Sequence, residues 1–305
     1  MVSFNASSLA FVGIAQQCVQ AALVVGRAKK QSPSENIFPF RWLALAPSRL
    51  REPLGSNKLR YMNQKFKVAF ITISVLLLLS ITANILLYER AKQYYLQLNA
   101  SHLDPLGLSV FANTSTVVQL PVIVFFGDSR AAQWTAPSQV QNVTFINRGI
   151  GNQTTAQIVG RFQAHVTPLH PQIIIVQGGI NDLKTIPLFP DEKETIISNC
   201  KANLKQIVDL SVAEGAQVII TTIFPLGKLP IERRSFWSDD VNIAIHDVNT
   251  FIETLASDRV TVFDTSKVLA NSDGIVYPQY SQDFLHLNPA GYNALNEAIY
   301  KLLVP

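Results

Sequence analysis

From Pro121 to the C-terminus, short apolar runs rich in β-branched and aromatic residues alternate with amphipathic stretches of helical length. Uniformly apolar runs of this kind are typical of strands in a parallel sheet that is buried on both faces by helices. The pattern therefore predicts a three-layer α/β/α sandwich with a central parallel sheet over residues 120–305. The five predicted strands are VIVFF (122–126), VTFIN (143–147), IIIVQ (173–177), VIITTIF (218–224) and VTVFD (260–264).

One segment before this pattern contains no charged residue: residues 68–88 read VAFITISVLLLLSITANILLY. At about 1.5 Å per residue, a helix of this length crosses a hydrocarbon core about 30 Å thick, which predicts one transmembrane helix. The alternative is a buried core helix, but soluble helices seldom stay apolar on every face for this length. A cleaved signal peptide has a shorter apolar region followed by small residues, so the segment favours an uncleaved signal anchor.

The charges on the two sides of this segment predict its orientation. Residues 1–67 hold ten Lys or Arg side chains and two acidic ones, whereas residues 68–305 hold fifteen and nineteen. Because positively charged flanks stay in the cytoplasm, we expect residues 1–67 to be cytoplasmic and residues 120–305 to be periplasmic or extracellular. The excess of basic residues is confined to the N-terminal flank, so the net charge of +4 does not indicate a nucleic-acid partner.

The segments on either side of the predicted anchor have no clear fold of their own. Residues 1–67 show no sustained hydrophobic period and are expected to be either disordered or a gene-model extension. In the second case synthesis starts at Met62, because MNQKFK directly before the apolar run resembles the charged start of an export signal. Residues 89–119 are expected to form a polar stalk that begins as a helix and then loops around Asp104 and Pro105.

Polar motifs follow the predicted strands. In open parallel sheets, ligands bind beyond the carboxyl ends of the strands, where loops from several elements meet. Taken alone, each motif also has a structural interpretation as a helix cap, a glycine turn or a loop. The motifs are Gly127-Asp128-Ser129, the turn from Asn147 to Thr155, Gly178-Gly179-Ile180-Asn181-Asp182, and Asp283-Phe284-Leu285-His286 near the C-terminus.

The joint occurrence of these motifs indicates nucleophilic chemistry. A hydroxyl is a weak nucleophile at neutral pH and needs an adjacent base, which His286 can provide for Ser129. A carboxylate must then orient the imidazole and stabilise its charged form, and Asp283 lies three residues before the histidine on the same loop. The sequence therefore predicts a catalytic triad of Ser129, Asp283 and His286.

Four motifs resemble blocks I, II, III and V of the SGNH hydrolases, also called GDSL-like hydrolases. They are, in this order, GDS, the Asn-x-Gly turn, GIND and D-x-x-H. The resemblance covers residues 120–305 and implies the flavodoxin-like SGNH hydrolase fold. It implies that Ser129 is the nucleophile, that its backbone N–H is one oxyanion donor and that the side-chain amide of Asn181 is another. It also implies that Asp283 and His286 are the aspartate and histidine of the triad.

Two positions depart from the family pattern. The third oxyanion donor is usually the backbone N–H of a glycine in block II, and the alignment places Asn152 there, with Gly151 as the alternative. A backbone amide survives this replacement, and asparagine tolerates left-handed backbone conformations. The residue after the serine is Arg130, where leucine is usual, and this arginine is expected to be either a cation near the pocket or a solvated charge.

A sugar attached at the Asn152 sequon would block the site, which favours a bacterial source.

The combined interpretation is a membrane-anchored serine hydrolase that cleaves carboxylic esters through an acyl-serine intermediate. The resemblance implies a lipase, esterase, lysophospholipase or carbohydrate esterase whose substrate is a small-molecule, lipid or glycan ester. No metal, cofactor or nucleotide is expected, because metal-ligand spacing and a phosphate-binding glycine loop are both missing from the sequence. Two alternatives stay open: acyl transfer to an envelope glycan, and a catalytically silent binding module with the same fold.

Overall fold

The computed structural model describes residues 56–112 and 121–303. Within these ranges five parallel strands form one sheet in the order β2-β1-β3-β4-β5. The strands are β1 Val122–Gly127, β2 Thr144–Gly149, β3 Ile173–Gln177, β4 Gln217–Thr221 and β5 Val260–Phe263. Three parts of the predicted segments lie outside the described residues: residues 1–55 of the N-terminal segment 1–67, residues 113–119 at the end of the stalk, and residue 120 at the start of the hydrolase domain.

Helices precede the sheet, connect its strands and close the chain. The α-helices are α1 Ser56–Leu103, α2 Ser129–Ala132, α3 Thr155–Gly160, α4 Phe162–His165, α5 Ile180–Leu183, α6 Lys193–Ala213, α7 Asp239–Glu253, α8 Ser266–Leu269 and α9 Pro289–Leu303. Short 3₁₀ turns lie between several of them, including one at Ile231–Phe236. The strands and helices of the sheet region alternate along the chain as the sequence pattern predicts.

The sheet has an apolar core on each face. Successive side chains of a strand point to opposite faces, and β1 shows this alternation directly. Val124 and Phe126 belong to the core that also contains residues of α3, α6 and α7. Ile123 and Phe125 belong to the core that contains residues of α8 and α9. Helices therefore cover both faces of a parallel sheet, which confirms the predicted three-layer α/β/α sandwich.

The fourth strand is shorter than its apolar sequence predicts. β4 ends at Thr221, whereas the apolar run continues to Phe224. The backbone of Ile223 is satisfied by a side chain instead of a neighbouring strand: its N–H donates to Asn249 Oδ1 at 2.7 Å, and its carbonyl accepts from Asn249 Nδ2 at 3.2 Å. The chain therefore leaves the sheet early and turns towards the edge where the polar motifs lie.

Helix α1 contains the uncharged segment and extends well beyond it. By length and composition, its part Asn63–Leu103 is apolar enough to cross a membrane. The helix continues through the first part of the predicted stalk and ends at Leu103. Asp104 then closes a turn, because its carboxylate accepts hydrogen bonds from the backbone N–H groups of Leu108 at 2.8 Å and Ser109 at 2.9 Å.

The residues that follow α1 contact the sandwich. The carbonyl oxygen of Leu106 accepts a hydrogen bond from Gln153 Nε2 at 2.8 Å, and that of Pro105 accepts one from Gln157 Nε2 at 2.7 Å. The loop expected around Asp104 and Pro105 is therefore present, and it is attached to the turn after β2 and to the start of α3.

Candidate active site

Ser129 lies at the carboxyl edge of the sheet, where β1 ends and α2 begins. A Cβ on Gly127 would lie 1.7 Å from the carbonyl oxygen of Gln177 on β3, so only glycine allows the end of β1 to approach its neighbour this closely. The Asp128 side chain accepts a hydrogen bond from the backbone N–H of Arg130 at 2.8 Å and caps the short helix. This turn fixes the direction in which the serine hydroxyl leaves the sheet.

The three residues predicted as a triad form one chain of contacts. Ser129 Oγ lies 3.1 Å from Nε2 of His286. On the other side of the ring, His286 Nδ1 lies 2.9 Å from Oδ2 and 3.1 Å from Oδ1 of Asp283. A neutral imidazole that is protonated at Nδ1 donates to the carboxylate and leaves Nε2 free to accept the serine proton. The geometry therefore suits proton transfer from Ser129 to His286.

The loop that carries the histidine also organises its carboxylate. Asp283 Oδ1 accepts hydrogen bonds from the backbone N–H groups of Leu285 at 2.7 Å and His286 at 2.8 Å. Burial raises the pKa of Asp283, but the hydrogen bonds from the His286 ring and from these backbone groups outweigh it and leave the pKa below its usual value. The side chain is therefore a carboxylate at neutral pH, the form that can stabilise an imidazolium.

Asn181 is buried at the start of α5, on the loop that follows β3. Its side-chain amide donates to the carbonyl oxygen of Gln153 at 3.0 Å. The amide carries a second N–H that this bond does not use. Asn181 is thus tied to the turn after β2, the turn that contains both alternatives for the third oxyanion donor.

The two alternatives for the third donor are neighbours in this turn. Asn152 has φ +63°, the left-handed conformation that asparagine tolerates better than most residues. It lines the groove that contains His286. A Cβ on Gly151 would lie 3.9 Å from the Cβ of Ser129. Asn152 therefore shares the groove with His286, and Gly151 lies next to Ser129.

Arg130 is a cation near the groove, which is one of the two interpretations of the sequence. It is not a solvated charge, because its side chain is completely buried. Its Nε donates to the carbonyl oxygen of Leu285 at 2.8 Å, and its Nη1 donates to that of Phe224 at 3.1 Å. Leu285 directly precedes the histidine, so Arg130 holds the loop that carries His286 against the start of α2.

Asp128 is the buried acid next to this arginine. Burial raises the pKa of Asp128 to about 6, although the charge of Arg130 and the hydrogen bond from its backbone N–H oppose this rise. Within the described residues, its Oδ2 atom accepts no hydrogen bond. The carboxyl group beside Ser129 is thus much easier to protonate than an exposed aspartate.

Two further buried residues connect the motifs, and sequence reasoning gave them no role. Arg161 donates to the carbonyl oxygens of Gly127 and Arg148, both at 2.8 Å, and so joins the ends of β1 and β2. Asp182 accepts from the backbone N–H of Thr155 at 2.9 Å and from its hydroxyl at 2.7 Å. Asp182 was visible in the GIND motif, whereas nothing distinguishes Arg161 from a solvated helix residue in the sequence.

A groove with a volume of about 520 Å³ opens beside Asp283 and His286. Its lining includes the apolar side chains of Leu188 and Phe236 and the cationic side chains of Lys184 and Arg233. Trp237 and Phe284 also line it and pack edge to face, with ring centroids 5.3 Å apart. The same two rings line a second cavity of about 590 Å³ on α7. The aromatic pair therefore lies between the groove and the second cavity.

These groups can together support acyl chemistry on a serine. The hydroxyl, the imidazole and the ionised carboxylate contact one another in that order, and amide donors lie on two neighbouring loops. In the parts of the chain that the structure describes, no group of three or more His, Cys, Asp or Glu side chains could hold a metal ion.

The parallel sandwich and the arrangement of the four motifs are those of an SGNH hydrolase. The model of the GDSL-like Lipase/Acylhydrolase family matches residues 125–294, more than half of the chain, and the chain belongs to this family. Family membership supports ester hydrolysis as the general activity.

Relatives and solved structures agree with this assignment. The chain is 24% identical over 192 residues to the rat platelet-activating factor acetylhydrolase IB subunit alpha1, which covers 60% of this chain and 75% of that protein. It is 24% identical over 191 residues to the human subunit alpha2, covering 60% and 76%. A GDSL-like lipase from Bacteroides thetaiotaomicron superposes with a TM-score of 0.54 at 22% identity, covering 65% of this chain and 97% of that protein. The superposition shows a shared fold.

Proposed function

We propose that this protein is a serine hydrolase that cleaves carboxylic esters through an acyl-serine intermediate. Ser129 is the nucleophile, His286 the general base and Asp283 the carboxylate that orients it. The observation that carries the proposal is the pair of contacts at the imidazole, 3.1 Å to Ser129 Oγ and 2.9 Å to Asp283 Oδ2. A base in hydrogen-bond contact is what a serine hydroxyl needs to attack an ester at neutral pH.

The proposed reaction has two steps. His286 takes the proton of Ser129 as Oγ attacks the ester carbonyl carbon, and the imidazolium then protonates the departing alcohol. In the second step His286 takes a proton from water, which attacks the acyl-serine, releases the acid and restores the serine. Asp283 holds the imidazole in the required tautomer and stabilises its charged form in both steps.

The oxyanion of each tetrahedral intermediate needs donors that are already in place. We propose the backbone N–H of Ser129, the side-chain amide of Asn181 and the backbone N–H of Asn152, with Gly151 as the alternative to Asn152. The hydrogen bond from Asn181 to Gln153, 3.0 Å long, supports this set because it keeps the two donor loops together. One such donor contributes on the order of 100- to 1000-fold in rate.

The relatives guide the choice of first substrate. The two mammalian relatives carry the name acetylhydrolase, and the matched family is named for lipases and acylhydrolases. We therefore expect acetyl esters to be the first substrates worth testing, followed by esters of longer acids.

We also propose that residues 68–88 anchor the enzyme in a membrane. Residues 1–67 would then lie in the cytoplasm, residues 89–119 would form the stalk, and the hydrolase domain, residues 120–305, would lie in the periplasm or outside the cell. The charge difference between the two flanks supports this orientation. Extraction of membranes at alkaline pH should leave the full chain with the lipid and release a chain that lacks residues 68–88; release of both would refute the anchor.

The catalytic proposal is tested on the full chain in a nonionic detergent, with p-nitrophenyl acetate, butyrate and longer esters and with a fluorophosphonate label. Ser129→Ala should lose both hydrolysis and labelling. Ser138→Ala, which removes an exposed hydroxyl, is the matched control and should retain both. Equal activity in Ser129→Ala and the parent protein would rule out Ser129 as the nucleophile. An added sugar acceptor that yields acylated sugar would indicate acyl transfer.

A further inference from the structure

Two cations in the active-site groove have no acidic partner. Lys184 follows directly after α5, and Arg233 lies on the 3₁₀ turn Ile231–Phe236. Among the described residues, neither side chain forms an ion pair with a carboxylate. Among the described residues that line the groove, Asp283 is the one acidic side chain, and its carboxylate already contacts the imidazole of His286.

The surroundings of Lys184 disfavour the charged form of its side chain. Burial lowers the pKa of Lys184; Asp128 opposes this effect, and the positive charges of Arg130 and Arg233 lower the pKa further. Arg233 is therefore close enough to repel the ammonium group of Lys184. A bound anion between them would offset this repulsion, because each cation could donate charge-assisted hydrogen bonds to it.

The groove joins the two cations to the catalytic residues. The Arg233 guanidinium carbon lies 5.9 Å from the ring centroid of Phe284, two residues before His286. We propose that Lys184 and Arg233 form an anion subsite that selects esters carrying a phosphate or carboxylate group. This inference rests on the proposed ester hydrolysis at Ser129. The anionic group could belong to a lipid headgroup or to a small soluble ester, and the two sources share the chemistry that the cations recognise.

The test compares charged and neutral esters on the full chain in a nonionic detergent. The soluble pair is mono-p-nitrophenyl succinate and p-nitrophenyl butyrate, and the lipid pair is a 1-acylglycerol 3-phosphate and the matching 1-acylglycerol. The variants are Lys184→Gln and Arg233→Gln. Arg234→Gln is the matched control, because it removes the same charge from the same turn but lines the neighbouring cavity.

We expect each groove variant to lower the ratio of kcat/KM for the charged ester to that for the neutral ester about tenfold, the loss typical of one hydrogen bond to a charged group. The control should change this ratio less than about twofold, because it acts only through a screened long-range charge. A loss confined to the lipid pair identifies a headgroup, and a loss confined to the soluble pair identifies a small ester. Unchanged ratios, or an equal loss in the control, would overturn the subsite.

A separate measurement keeps the subsite independent of turnover. Calorimetry measures the binding of mono-p-nitrophenyl succinate to Ser129→Ala, with and without Arg233→Gln. Binding that weakens about tenfold with the second substitution supports the subsite even if the parent protein hydrolyses none of the esters, in which case only the catalytic proposal fails. Equal binding by both proteins would overturn the subsite even if hydrolysis is observed.

Discussion

Replacing Asp128 with Asn should change how the stability of the protein depends on pH. Burial raises the pKa of Asp128 from 3.8 to about 6. Between these values the folded state keeps a proton that the unfolded state has lost. Stability from this group is thus fully present below about pH 4 and is lost as pH rises through 6. A difference of about two pKa units, at about 1.4 kcal/mol each, makes the loss about 3 kcal/mol.

The asparagine variant removes this titration and keeps the local geometry. Its side-chain oxygen can still accept the hydrogen bond from the backbone N–H of Arg130, so the cap of α2 is retained. The free energy of unfolding of the variant, relative to the parent, should therefore rise by about 2.4 kcal/mol from pH 4 to pH 7. Urea unfolding in a nonionic detergent, followed by tryptophan fluorescence, measures this because Trp134 is buried in the core.

An exposed carboxylate provides the comparison. Asp258 lies on the exposed turn before β5, and Asp258→Asn is the comparison variant in the same assay. A difference between Asp128→Asn and the parent that stays constant within about 0.5 kcal/mol across the pH range would refute the reasoning. It would mean that the charge of Arg130 compensates the buried carboxylate fully.

Three further substitutions test separate parts of the site. Asn181→Ala should lower kcat about 100- to 1000-fold in ester hydrolysis, since it removes a proposed oxyanion donor; an effect on KM alone would contradict that role. Gly149→Ala should reduce the free energy of unfolding by about 3 kcal/mol or more, because the added Cβ would lie 2.1 Å from the backbone nitrogen of Ala132. Gly151→Ala, whose Cβ would have no neighbour closer than 3.9 Å, is the control in the same urea assay. Trp237→Ala should shift p-nitrophenyl ester preference towards longer acyl chains, because it opens the groove to the second cavity; an unchanged chain-length profile would contradict this.

The fold was predictable because its signal is local in the sequence. Each strand buried on both faces reads as an apolar run, and the glycine that ends β1 marks a turn at which a side chain would collide with β3. That the motifs meet at one edge of the sheet was equally predictable, since parallel strands bring their carboxyl ends to one edge. The ends of strands were less predictable: the apolar run continues past the end of β4 at Thr221, but the backbone groups of Ile223 bond to Asn249, 26 residues further along the chain.

The roles of the buried charges could not be predicted, because their partners are backbone atoms far away in the sequence. Arg130 bonds to a carbonyl 155 residues further along the chain, and Arg161 bonds to one 34 residues before it. Nothing in the identity of Leu285 or Gly127 indicates such a bond, since every residue has a carbonyl group. From the sequence alone, a charged side chain in an amphipathic segment is therefore interpreted as solvated, and only the fold shows that it is buried.

Gln153 shows how far the support of the site extends beyond the motifs. Its carbonyl oxygen accepts the amide of Asn181, and its side chain accepts from Arg161 and donates to the carbonyl oxygen of Leu106. The loop after α1 thus belongs to the same hydrogen-bonded network as the proposed oxyanion donors. A fragment that starts at residue 120 would remove the partner of the Gln153 side-chain amide and leave this network incomplete. Fragments for activity measurements should therefore begin before Asp104, within α1.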